Sequence, residues 1–245
     1  MIFETTSLLL AIGVAAVPSW FYHTERLDKK KIELQYRIRI AQTLGHAATL
    51  RDHETGKHNL RVTYIAGFFG EDLGLDKATL QTLMKGAFLH DVGKIGIKDS
   101  ILLKNGSLDK EEWKEMQFHP IYGKELLENM PWFKEATAVV MHHHEKYDGT
   151  GYPEKLKGKK IPLVARIFAI IDVFDALLNA RPYKKAFSLE ETLEILQDGS
   201  STHFDPEILE KFLFNAPKYT QDITNKTEKE LHSMLEMKRK TIFGI

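Results

Sequence analysis

At 245 residues, with 43% hydrophobic and 10% aromatic side chains, the chain is globular and long enough for one large domain or two small ones. Thirty-four basic residues balance thirty-four acidic ones, so nothing global points to nucleic acid, and an anionic substrate must be met by local charge or metal. The absence of cysteine excludes disulfides, thiolate zinc sites and cysteine nucleophiles, which leaves eleven histidines as the compositional feature to explain.

Thr5 to Tyr22 runs eighteen residues without a charge, about the length of a helix that spans a thin hydrocarbon layer. Glu4 stands where a signal peptide would be basic, and a packed core helix is the other alternative. Arg26, Lys29, Lys30 and Lys31 follow, and Trp20, Phe21 and Tyr22 sit where an interfacial aromatic belt would. Residues 1–23 therefore read as a transmembrane anchor that leaves the rest of the chain on the cytoplasmic side. Residues 24–50, with Leu27, Leu34, Ile38, Ala41 and Ala48 in a loose heptad, read as a helical linker or a homodimer seam.

From Arg51 the signals become chemical. Glu54 and His58 are four apart on one helical face, a spacing that fits a shared metal ion or an ordinary surface pair. Asp76 caps the next helix, whose apolar positions Leu80, Leu83, Met84 and Ala87 lead at helical spacing into His90 and Asp91. A buried carboxylate beside an imidazole calls for a cation, donors or a metal. Lys94, after Gly93, fits a phosphate contact or a lysine favoured by the helix dipole. Asp109 and Glu112 form a capping box, and His119 extends the face of that helix before Pro120 limits it.

Val139 and Val140 mark an inward face that His143 and His144 continue, whereas His142 points elsewhere. Gly149 and Gly151 in Tyr147-Asp-Gly-Thr-Gly-Tyr-Pro153 permit close backbone approach to a ligand. The helix over 163–178 is apolar nearly all round, with Asp172 in its middle and Asp175 one turn on, supporting Asp172 or orienting a loop. Arg181 and Lys184 offer two cations at its mouth, or surface charge placed by the helix dipole. Ser188 with Glu191 caps another helix, Asp205-Pro206 starts the next, and a last helix centres on Leu231, Met234 and Leu235.

Taken together, His90-Asp-Val-Gly-Lys-Ile-Gly-Ile97, His143-His-Glu-Lys-Tyr-Asp-Gly-Thr-Gly-Tyr-Pro153, Asp172-Val-Phe-Asp-Ala176, Arg181-Pro-Tyr-Lys-Lys-Ala186 and His203-Phe-Asp-Pro206 resemble the HD-GYP family of metal-dependent phosphohydrolases. The resemblance implies an all-α HD-type bundle around a metal cluster, here preceded by the N-terminal hydrophobic helix, with a catalytic domain over 51–215 and a helical tail over 216–245. It implies two or three divalent ions, iron or manganese, held by Glu54, His58, His90, Asp91, His119, His143, His144 and Asp172. Asp91 would bridge two ions and Glu54 would add a third.

The activity implied is hydrolysis of cyclic di-GMP by metal-activated hydroxide, with Asp91 and Lys94 at the chemistry. Lys94, Gly151, Tyr152, Pro153, Asp175, Arg181 and Lys184 would contact substrate, and a diguanylate cyclase would dock at the Gly-Tyr-Pro loop. A hybrid guanine-adenine dinucleotide, another nucleotide, or a non-catalytic sensing and docking module are the alternatives. Lys98 and Asn105 stand where many members have proline and Tyr147 where many have tryptophan, which touches loop rigidity and no ligand.

Overall fold

The computed structural model describes residues 29–51, 55–179 and 185–244. The chain divides into two compact units between Ile40 and Ala41. In the first, residues 29–40 are helical, and Arg37 pairs with Glu33 one turn earlier. In the second, residues 41–51 are helical (α1). The second unit then carries α2 (Thr55–Asp72), α3 (Lys77–Leu89), α4 (Asp99–Leu102), α5 (Lys110–Met116), α6 (His119–Leu127) and α7 (Thr137–His142). It closes with α8 (Leu163–Leu178), α9 (Leu189–Asp198), α10 (Pro206–Ile223) and α11 (Glu228–Arg239). No strand occurs among the described residues, so the all-α expectation holds for them.

The caps behave as their chemistry predicts. Asp76 accepts from the amides of Ala78 and Thr79, and Asp109–Glu112 and Ser188–Glu191 close reciprocal capping boxes. Pro120 corrects one expectation: it does not limit the helix of Trp113 but lies in the first turn of a new one, α6, where its missing N–H costs nothing.

Helix α8 is the axis of the domain. Ile167, Phe168, Ile170, Ile171 and Phe174 are fully buried on it and pack with Ile65 and Phe69 of α2, Leu83 of α3 and Phe212 of α10. A smaller apolar cluster, Leu89, Val92, Leu127, Phe133 and Val140, lies under the ends of α3 and α7. The expected boundary at 215/216 falls inside α10, and Ala216, Tyr219, Ile223, Leu231 and Leu235 belong to the main core. No helix among the described residues is long and apolar enough to cross a membrane, and the expected anchor over 1–23 lies outside them.

Candidate metal centre

Most of the charged and imidazole side chains at the centre of this unit come from helix ends. His90 is the C-cap of α3 and Asp91 the residue after it; His143 and His144 follow α7; His119 opens α6. Backbone contact makes the convergence possible. A Cβ on Gly93 would lie 1.8 Å from the carbonyl oxygen of His119, so only glycine lets the His90–Lys94 turn press against the start of α6. Gly151 is equally confined: a Cβ there would lie 2.3 Å from the amide of Lys146 and 2.5 Å from the carbonyl of His144.

Two groups result. His119, His143 and His144 bring ligand nitrogens within 4.8 Å of one another, and so do the ring nitrogens of His58 and His90 with a carboxylate oxygen of Asp172. Asp91 stands between them. Its Oδ2 is 3.2 Å from His90 Nε2, and its Oδ1 is 3.4 Å from His119 Nε2 and 4.0 Å from His143 Nε2. Lys94 Nζ is 2.8 Å from the same Oδ2. Burial acts to raise the Asp91 carboxyl, but Lys94 and then His90 outweigh it and hold it well below the usual carboxylate range.

The imidazoles are oriented to give up lone pairs. Nδ1 of His90, His119 and His143 meets the carbonyl oxygens of Ala87, Met116 and Val140 at 2.8–2.9 Å. A carbonyl only accepts, so each Nδ1 carries the proton and each Nε2 of a neutral ring presents a lone pair. Burial holds His119 below its ordinary value and His143 well below, and brings His144 down to about 3, so these rings are neutral near pH 7. The Nε2 atoms of His119 and His143 nevertheless face each other at 3.3 Å. Two lone pairs at that distance repel unless a cation lies beside both, and the donor set fits a borderline divalent ion.

His58 is held differently. Its Nδ1 is 2.7 Å from Asp175 Oδ2 and its Nε2 is 3.2 Å from Asp172 Oδ1. Burial would lower it, but donation to Asp172 and Asp175 pushes it up to about 9. Behind it Arg61 donates from Nε and Nη2 to the two oxygens of Asp175 at 2.6 and 2.7 Å, and Asn179 adds a 3.2 Å contact. Asp175 is fully buried, and its carboxylate is held by His58 and Arg61. His142 falls outside both groups, its Nδ1 3.8 Å from Glu154.

On the other side the ring of Tyr152 stacks on His144 with centroids 4.8 Å apart, and burial followed by Asp91 and Asp172 pushes its hydroxyl up from its usual value. Gly151 and Pro153 flank it, and Trp113 meets it edge-on at 6.3 Å. Arg51 braces the loop after Lys94 by donating to the carbonyls of Lys94, Ile95 and Ile97 and to Asp99. Glu54, Arg181 and Lys184 lie outside the described residues. Arg61 and Arg51 were not singled out in the sequence, although Arg61 is three residues after His58 and so shares its face of α2.

Residues 42–208 match the HD domain family model, which is more than half of the chain. The chain belongs to the HD domain family. Its ordered motifs are those of the HD-GYP branch, and HD domains bind divalent metals at the kind of His/Asp cluster found here. A Vibrio cholerae protein named cyclic di-GMP phosphodiesterase is 42% identical over 192 residues, covering 72% of this chain and 39% of its own length. A second Vibrio cholerae protein, 3'3'-cGAMP-specific phosphodiesterase 2, is 40% identical over 176 residues, covering 71% of this chain and 34% of its own length. The chain thus spans well under half of these curated relatives. A solved Vibrio cholerae structure described as a cyclic GMP-AMP-specific phosphodiesterase superposes with a TM-score of 0.63 at 19% identity over 83% of this chain and 54% of that one, which establishes the shared HD fold.

Proposed function

We propose that this HD domain hydrolyses the phosphodiester bonds of cyclic di-GMP with two or three divalent ions, iron or manganese, held by His58, His90, Asp91, His119, His143, His144 and Asp172, with Glu54 as ligand to a third. The observation that carries the reading is the position of Asp91: one carboxylate, kept ionised, reaches into both ligand groups. Divalent ions bound there would supply Lewis acidity to a phosphate and a nucleophilic water at neutral pH.

The chain's own groups do the rest. The backbone carbonyls of Ala87, Met116 and Val140 fix the tautomers of three ligands before any ion arrives. Lys94, held at Asp91, donates to a phosphate oxygen or to the leaving 3′ oxygen. Tyr152, stacked on His144, keeps its phenolic proton as a donor. Arg181 and Lys184 hold the diester and offset its charge. Asp175 positions His58 and also lines the cavity, where it would stand beside bound substrate.

A guanine-adenine hybrid dinucleotide is the second reading, favoured by the 40% identity to the 3'3'-cGAMP-specific relative. Metal analysis of purified protein, coupled to turnover of cyclic di-GMP and its hybrid relative, tests both. The reading expects bound transition metal and faster cleavage of cyclic di-GMP; faster cleavage of the hybrid selects the second reading, and no cleavage of either removes both. Glu54→Ala should lower the metal count by about one, and unchanged stoichiometry would remove the third ion.

A further inference from the structure

The cluster opens into a cavity of about 700 Å³, within the size range of small-molecule sites. His58, Asp91 and Lys94 border it at the cluster end. Part of its wall comes from a stretch that carries no recognised motif: Thr220, Thr224, Asn225 and Lys226, at the turn from α10 to α11. The family match ends at residue 208, so this wall belongs to the chain's own C-terminal segment.

The turn is built, not loose. The side chain of Thr224 donates to the carbonyl of Thr220 at 2.6 Å, Asn225 takes a left-handed φ of 60°, and Thr227 then caps α11. Lys226, half-buried between Asn225 and that cap, lines the cavity. The carboxylates at the cluster end already have cations, Asp91 with Lys94 and Asp175 with Arg61. Among the described residues, Lys57 and Lys226 add positive charge to the lining, against Glu228 beyond that end.

A cyclic dinucleotide carries two phosphodiesters on one macrocycle. With one of them at the cluster, the second is carried into the same cavity, where a desolvated anion needs a cation of its own. We propose that Lys226 binds this second phosphate and that the turn from Thr224 to Lys226 is the substrate-selecting wall of the site. The inference rests on the proposed function, since it needs a substrate with two phosphates.

The test compares cyclic di-GMP with bis(p-nitrophenyl) phosphate, a diester with one phosphate, on the metal-loaded full chain. Lys226→Ala should lower the ratio of kcat/KM for cyclic di-GMP over the small diester roughly tenfold, through KM, as expected for loss of one charge-assisted contact. Lys226→Arg should restore most of it. An unchanged ratio, or a ratio that falls without rescue by arginine, overturns the inference while wild-type turnover of cyclic di-GMP keeps the proposed function. Wild-type protein that cleaves the small diester and no cyclic dinucleotide overturns both. Because the ratio is internal to each variant, partial loss of folded protein leaves it unaffected.

Discussion

In the group of His119, His143 and His144, two rings are fixed by backbone carbonyls, the third stacks on Tyr152, and burial keeps all three neutral. In the group of His58, His90 and Asp172, one imidazole lies between two carboxylates and a bidentate arginine stands behind it. The first half is ready to donate lone pairs at neutral pH. The second holds a proton where a metal would bind. The difference teaches that two ions held there would not need to be taken up under the same conditions, and that Asp91, which reaches both groups, would couple them.

Breaking the coupling should have the largest effect. His90→Ala with Asp91→Ala removes a ligand from one half and the carboxylate shared by both, so hydrolysis of cyclic di-GMP should fall by roughly a thousandfold or more while the protein stays soluble. Full turnover in that variant would remove the metal account. Arg61→Ala strikes only the second half. It leaves Asp175 buried without its bidentate partner, and should cost about 3 kcal/mol of stability and roughly 10–100-fold in metal affinity at that half. Denaturant melts and metal titration read the two effects, and equal losses at both halves would contradict the division.

Proton linkage sharpens the same contrast. His58 is raised from an ordinary 6.5 to about 9, so in metal-free protein its contribution to stability is fully present below 6.5 and is lost as pH rises through about 9. Uptake of an ion at the His58 half should therefore release about one proton between those values, whereas the three-histidine half, already neutral, should release none. Calorimetry in buffers of different ionisation enthalpy measures this; proton release that survives His58→Gln would sink it. The smallest effect is a control far from both halves. Asp76→Ala deletes the cap of α3 and should lower the melting temperature slightly with the metal count unchanged.

The sequence made the inward faces legible and the ends of helices less so. The spacing from Leu83 and Ala87 to His90 and Asp91, and from Val139 and Val140 to His143 and His144, reports a face, and turn residues at a helix end still continue it. It does not report where the helix stops: Pro120 reads as a stop but lies in the first turn of α6. The role of Asp175 was out of reach for a different reason. Asp172 and Asp175 are one turn apart on α8, and what separates them is Arg61, more than a hundred residues earlier in the chain. The cavity wall at Thr220–Lys226 has no motif, since a turn is held by backbone conformation and local hydrogen bonds that leave little trace in residue type.

The most direct measurement is anomalous diffraction from crystals of metal-loaded protein, collected on either side of the absorption edge of the bound element. The account predicts two peaks flanking Asp91, one within bonding distance of His119, His143 and His144 and the other of His58, His90 and Asp172. A single peak, or peaks with the Asp91 carboxylate bonded to neither, would contradict it.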